Sequence, residues 1–249
     1  MNRSSLFVAL LAAGAAAATP ALAAKPDPVL APAAVTTEEV GDAGSFGKNV
    51  KWLGLASGFV QLLDTCTPAP GDPAPENCIE VNPAPAVTTF NLSNLDSVTL
   101  PGRSTDTLIC HWQTPIVSYS AANTTGASAS FQFRVTPVYR IQSEVLNDPA
   151  LIDPTTGLPF GGVLELALTS INLSSQIQPG DFEFETITGT RMCIGGLVSK
   201  ESLVGTYGLT EAQANRFFRR PITISLGIRG QSRLVDGASI NIGTRFVGD

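Results

Sequence analysis

Phe131-Gln132-Phe133-Arg134-Val135-Thr136 alternates apolar and polar side chains without a break, and beyond Pro137 the phase resumes at Tyr139 and Ile141. Successive side chains of a strand point to opposite faces, so a period of two predicts a strand with one face in a core. The same period recurs in Val163–Thr169, Asp181–Ile187 and Ile222–Ile228. In Asp181–Ile187 it predicts Phe182 and Phe184 inward, with Glu183 and Glu185 outward. Asn49–Ala56 and Gly58–Leu63 read as two strands around a break at Ser57-Gly58, and Thr107–Trp112 reads as an interior strand. Asp236-Gly237 carries the composition of a type I′ turn, predicting a hairpin from Ser232–Val235 to Ala238–Ile242.

Turn-forming clusters fall between these runs at Pro101-Gly102, Asn123–Gly126, Asn147–Pro149, Asp153–Gly157 and Pro179-Gly180. One helix is expected near residues 211–219. Thr210 supplies its cap, Gln213 completes a capping box, and Pro221 stops it. A parallel α/β sheet would need helices between most strands, and the sequence offers one. The fold class expected is therefore all-β, an antiparallel β-sandwich to which Greek-key connections are open.

Outside this body the first residues form an export signal. Arg3 opens a positive segment, Leu6–Ala13 starts an apolar run, and Ala21-Leu22-Ala23 has the small-x-small pattern of a cleavage site. Residues 1–23 are expected to be removed. Residues 24–46 follow as an extended, proline-rich tail, and residues 47–249 as a single disulfide-stapled domain. Beyond the signal no stretch of about 18 apolar residues recurs, so the sequence predicts no transmembrane helix in the mature form. The expected locations are the periplasm, the cell surface or the medium.

In such a compartment Cys66, Cys78, Cys110 and Cys193 read as two disulfides. The favoured pairing is Cys66–Cys78 around a short proline-rich loop and Cys110–Cys193 between distant strands. With a single histidine and no Cys-x-x-Cys, the chain offers no zinc pattern, and nothing in it calls for another metal or a cofactor. Charged residues make up 14% of the chain, which argues against nucleic-acid binding.

Charge is unevenly spread. Residues 25–190 carry six basic and seventeen acidic side chains, a net of −11, whereas residues 191–249 carry eight and four, a net of +4. Arg216, Arg219, Arg220, Arg229, Arg233 and Arg245 supply most of the latter as a candidate basic patch. Opposed patches would favour head-to-tail self-association or an anionic partner.

Candidate chemistry is sparse. His111, the one histidine, adjoins Cys110, and neighbours on a strand face opposite ways and do not share a proton. Glu183 and Glu185 stand two apart, a separation of about 6.5–7 Å that falls in the range of paired glycosidase carboxyls. Asp148, Asp153, Thr155 and Gly157 share a loop but lack a full calcium pattern. Asn91, Asn123 and Asn172 begin sequons that would carry surface glycans in a eukaryotic secretory route. In the tail, Val29, Ala31, Ala33 and Val35 alternate as the side chains of a donated strand would.

These residues weigh against an enzyme. The expectation is an exported structural or interaction module that self-associates through its tail into an oligomer or surface filament, or else engages a cell-surface component. An exported carbohydrate-binding module or carbohydrate-active enzyme is the alternative class, and a secreted inhibitor or chaperone the next. Expression in an exporting bacterium should yield a protein whose N-terminal residue, read by mass spectrometry, is Ala24 or Lys25.

Overall fold

The computed structural model describes residues 52–190 and 196–248. The signal segment, the tail with Val29, Ala31, Ala33 and Val35, and Cys193 lie outside the described residues. The described strands are β1 (Trp52–Leu63), β2 (Cys78–Glu80), β3 (Val87–Leu100), β4 (Leu108–Ala122), β5 (Ala129–Gln142), β6 (Val163–Ala167), β7 (Ile171–Ile177), β8 (Phe182–Thr188), β9 (Val198–Ser199), β10 (Ile222–Arg233) and β11 (Val235–Gly248). Helices α1 (Lys200–Gly205) and α2 (Glu211–Arg219) lie between β9 and β10.

Two sheets pack face to face as a β-sandwich. The first runs β2-β1-β11-β4, with β8 and β9 side by side along β4; the second runs β3-β10-β5, with β6 and β7 side by side along β5. All pairings are antiparallel except the short one between β1 and β2. Consecutive strands change sheets six times along the chain. The inner faces meet in a core that includes Val60, Val117, Ile240 and Phe246 from the first sheet against Phe133, Ile141, Ile224 and Ile228 from the second. Two aromatic pairs bridge the layers: Tyr119 stacks on Phe131 and Tyr139 meets Phe246 edge-on, each at 5.0 Å between ring centres. Such pairs add about 0.5–1.5 kcal/mol to the burial of their rings.

The run Phe131–Thr136 lies in β5 with Phe131, Phe133 and Val135 buried and Arg134 exposed, and Tyr139 and Ile141 continue the inner face. Pro137 sits mid-strand because β7 pairs with β5 up to Val135 and β6 from Val138, so neither needs a donor at that position. Pro115 occupies the matching place in β4, between the stretches that pair with β9 and with β8.

Three local expectations are corrected. Ser57-Gly58 does not break β1, which pairs with β11 without interruption; Gly58 instead lets β3 approach, since a Cβ there would stand 2.9 Å from Leu95 Cδ1. Asp236-Gly237 makes no hairpin. β10 and β11 belong to different sheets, the chain crosses at Leu234 (φ 60°), and Asp236 lies where the register of β11 shifts against β4. The helix capped by Thr210 and Gln213 forms over Glu211–Arg219 as read, but α1 precedes it, with Ser199 and Ser202 closing its own reciprocal cap.

Cys66 and Cys78 are bonded, fastening the segment after β1 to the start of β2. Cys110 is also disulfide-bonded. Asn123, read as a sequon, is 1% exposed and serves as a structural knot. Its side-chain amide donates to Ala127 O and Ile177 O, and its Oδ1 accepts from Thr125 N and Oγ1. Its backbone pairs with Asp181 O and Gly180 N. It thereby joins the β4–β5 crossing to the β7–β8 crossing. Asn123→Ala should lower the unfolding free energy by about 2–4 kcal/mol, because the bond to buried Ile177 O and the partly buried bonds to Thr125 and Ala127 are lost together. Chemical denaturation would measure this, with exposed Asn91→Ala within about 0.5 kcal/mol of wild type as the control.

Candidate functional site

Strand β8 places the two candidate carboxylates. It pairs with β4 so that Glu185 lies opposite Tyr119 and Glu183 opposite Ala121, both inner-face positions. The Tyr119 hydroxyl lies 2.8 Å from Glu183 Oε1 and 3.0 Å from Glu185 Oε2. Ser175 of β7 donates to Glu183 Oε2 at 3.2 Å. The pair therefore closes the gap between β7 and β8, the flanking strands of the two sheets. Burial, together with bonds to both carboxylates and their charge, pushes the Tyr119 phenol above its ordinary range and keeps it a donor. Its one proton serves two acceptors.

This inverts the expected orientation. Phe182 and Phe184 point outward, 65% and 66% exposed, opposite Ala122 and Ser120. Alternation defines two faces of a strand but not which one meets the core, and here Tyr119 supplies the inner face with a polar partner. For the carbohydrate-active reading the consequence is direct: both carboxylates are held by the fold's own hydroxyls.

His111 also faces inward. It is half-buried, its ring 5.5 Å from that of Tyr139, and burial lowers its pKa, favouring neutral imidazole. Among the described residues its buried Nδ1 meets no hydrogen-bond partner, and neither does Gln113 Nε2. Cys110, on the opposite face, is bonded and cannot act as a nucleophile.

The loop with Asp148 and Asp153 is made of turns. Asp153 Oδ1 accepts from Thr155 N at 2.8 Å, Asp148 Oδ1 from Ala150 N at 3.0 Å, and Asp148 Oδ2 from Gln213 Nε2 at 3.2 Å. Gly157 closes it at φ 70°. Burial alone would raise the pKa of Asp153, but bonds from Thr155 and Thr156 outweigh it and hold the carboxyl low. Among the described residues no three His, Cys, Asp or Glu side chains are grouped as a metal would need.

The six arginines do not form one patch. Arg216 and Arg219 lie on α2 and Arg220 at its C-terminal end, where Arg220 pairs with Glu144 at 2.8 Å. Arg229 and Arg233 stand on the second sheet, Arg229 3.5 Å from Glu165. Arg245 stands on the first sheet, its guanidinium carbon 3.8 Å from the centre of the Trp112 ring.

What the first sheet presents outward mixes large apolar side chains with small polar ones. Leu55, Arg245 and Trp112 form a row across β1, β11 and β4, followed by Ser57, Gly243 and Thr114, then by Phe59, Asn241 and Ile116. Leu53 and Leu55 are 53% and 71% exposed, and Phe59 and Ile116 39% each. With Phe182 and Phe184 these are six large apolar side chains on one face; its described charges are Arg245, the exposed Asp236 at the bulge of β11, and Asp96 of β3, which accepts from Ser57 N at 2.9 Å and borders the depression shared by Leu55, Trp112 and Arg245. The available hint was the pattern Leu53-Gly54-Leu55-Ala56, where the smaller residues alternate with leucine.

No protein-family model matches the chain, and no curated protein matches it. Among solved structures, VP1 of Trichodysplasia spinulosa-associated polyomavirus, in complex with GM1 oligosaccharide, is 11% identical. The match covers 78% of this chain and 94% of that one at a TM-score of 0.27. The T13 IBDV viral particle gives 7% identity over 80% of this chain and 36% of that one, at a TM-score of 0.18. Likeness at these scores carries no weight for function or assembly.

The orientation of β8 is testable through stability. Tyr119→Phe should cost about 1–3 kcal/mol in urea unfolding, because two carboxylates lose their donor. Phe184→Ser should stay within about 0.5 kcal/mol of wild type, as a surface change does; an inward Phe184 would reverse that order.

Proposed function

We propose that this chain is an exported, non-enzymatic interaction module that associates with copies of itself through the outer face of its first sheet. The observation that carries the proposal is the set of six exposed large apolar side chains on that face. They fall in three pairs, Leu53 with Leu55, Phe59 with Ile116 and Phe182 with Phe184, set among small polar residues, and exposed large apolar groups gathered on one face mark an interaction site. Its occupant is a second copy, on the ground of charge. The chain has a net charge of −6, so copies repel over most of their surface. This face carries few charges among its described positions, Arg245 with Asp96 and Asp236 at its margins, so two such faces meet with little of that repulsion.

Export rests on the leader at residues 1–23, and the Cys66–Cys78 bond suits an oxidising compartment. The tail residues Val29, Ala31, Ala33 and Val35 are the second contact in this reading, entering a neighbour as a donated strand. The enzymatic alternative is weakened by the engagement of Glu183 and Glu185 with Tyr119 and Ser175.

Size-exclusion chromatography with light scattering should show the wild type moving from monomer to oligomer with concentration. Leu55→Ser with Phe184→Ser should weaken association at least tenfold, and deletion of residues 24–46 should weaken it further. A wild-type protein monomeric at high concentration overturns the reading, and undiminished association of the double variant overturns the assignment of the face.

A further inference from the structure

The outer face of the second sheet has the opposite character. Arg134, Arg140, Arg229 and Arg233 project from β5 and β10, with Glu165 of β6 the one described acid among the outward positions of the sheet. Register fixes their arrangement. Arg134 lies opposite Gln231, which places it diagonal to both Arg229 and Arg233. Those two are four residues apart on one strand, a span of about 13 Å. Asn91 flanks Arg229 across the β3 pairing, and Asn172 flanks Arg134 across the β7 pairing. A depression of about 460 Å³ opens between Arg134 and Arg229 over Gly230, where a Cβ would collide with the Arg134 carbonyl and the Phe90 ring.

Neutralisation of the cluster is partial. Arg140 and Arg229 share Glu165 at 4.0 and 3.5 Å, and Arg233 donates to Pro85 O at 3.1 Å. Arg134 is exposed and has no ion pair among the described residues.

The geometry points to this face as a binding surface for an acidic polysaccharide. Guanidinium forks match carboxylate or sulfate oxygens in pairs. The side-chain amides of Asn91, Gln231 and Asn172 each offer donors and an acceptor, which suits hydroxyl groups between the acids. A polymer along β10 would meet Arg229, Gln231 and Arg233 in turn, with Arg134 at its side. Single-stranded nucleic acid is disfavoured because none of the described outward residues of the sheet is aromatic, so bases find no stacking platform. A lipid surface is disfavoured because the exposed apolar side chain beside the cluster is a single valine, Val87 opposite Arg233, with no exposed aromatic or leucine anchor among the described outward residues. The surface lies on the opposite side of the sandwich from the self-association face, so either reading can fail alone.

Electrophoresis of the purified protein through gels containing polygalacturonate, heparin or dextran tests the assignment. Retardation is expected with polygalacturonate or heparin and not with dextran, fading as salt rises; the stronger of the two identifies carboxylate or sulfate as the preferred group. Arg134→Ala with Arg233→Ala should weaken retardation at least about tenfold, the effect of losing a charge-assisted contact. Arg216→Ala with Arg219→Ala removes equal charge from α2 and should leave retardation unchanged. No retardation by either acidic polymer, equal losses in the two double variants, or tighter binding of a duplex DNA oligomer would each overturn the proposal. Near-ultraviolet circular dichroism confirms that the variants are folded.

Discussion

Tyr119 ties the interior of this sandwich to its surface. Its ring stacks on Phe131 across the two sheets, and its hydroxyl reaches the sandwich margin to hold Glu183 and Glu185. Once those carboxylates are drawn inward, the period of two leaves Phe182 and Phe184 no position but the outer face. A single buried phenol thus sets the phase of β8, and with it two of the six exposed apolar side chains of that face. A one-residue slip in the β4–β8 pairing would turn two phenylalanines inward and two acids outward, and the loss of the Tyr119 bonds opposes it.

Crossings matter as much as pairings. Consecutive strands change sheets six times, so the two layers are laced together by the chain rather than held by packing alone. The crossings are anchored by specific groups: Asn123 binds two of them to each other, and Leu234 adopts the left-handed backbone that carries β10 into β11. A non-glycine residue in that conformation costs about 1–3 kcal/mol, which burial of the Leu234 side chain offsets.

The result is a sandwich with two unlike outer faces. One is nearly uncharged and carries leucine, isoleucine and phenylalanine; the other is set with arginines and amides. Net charge of opposite sign in the two parts of the sequence describes this poorly, because Arg229 and Arg233 share a face with Arg134 and Arg140, whereas Arg245 sits on the opposite side. Sheet topology sorts charge by face, and sequence position does not.

By itself the sequence determined the all-β class, the boundaries of α2 and the inner face of β5. Each follows from local rules: a period of two, a Thr210–Gln213 cap, a uniform alternation of aromatic and polar side chains. Short-range patterns also named Cys66–Cys78 as a pair. Only the tertiary structure decided which face of β8 turns inward, whether Asp236-Gly237 bends the chain, and what Gly58 and Asn123 are for. Those outcomes depend on partners far along the chain: Tyr119 for Glu185, the opposite sheet for β10 and β11, Leu95 for Gly58, Ile177 for Asn123. Local pattern limits a strand to two faces and a turn to a few shapes, and the choice among them falls to the groups that long-range folding brings alongside.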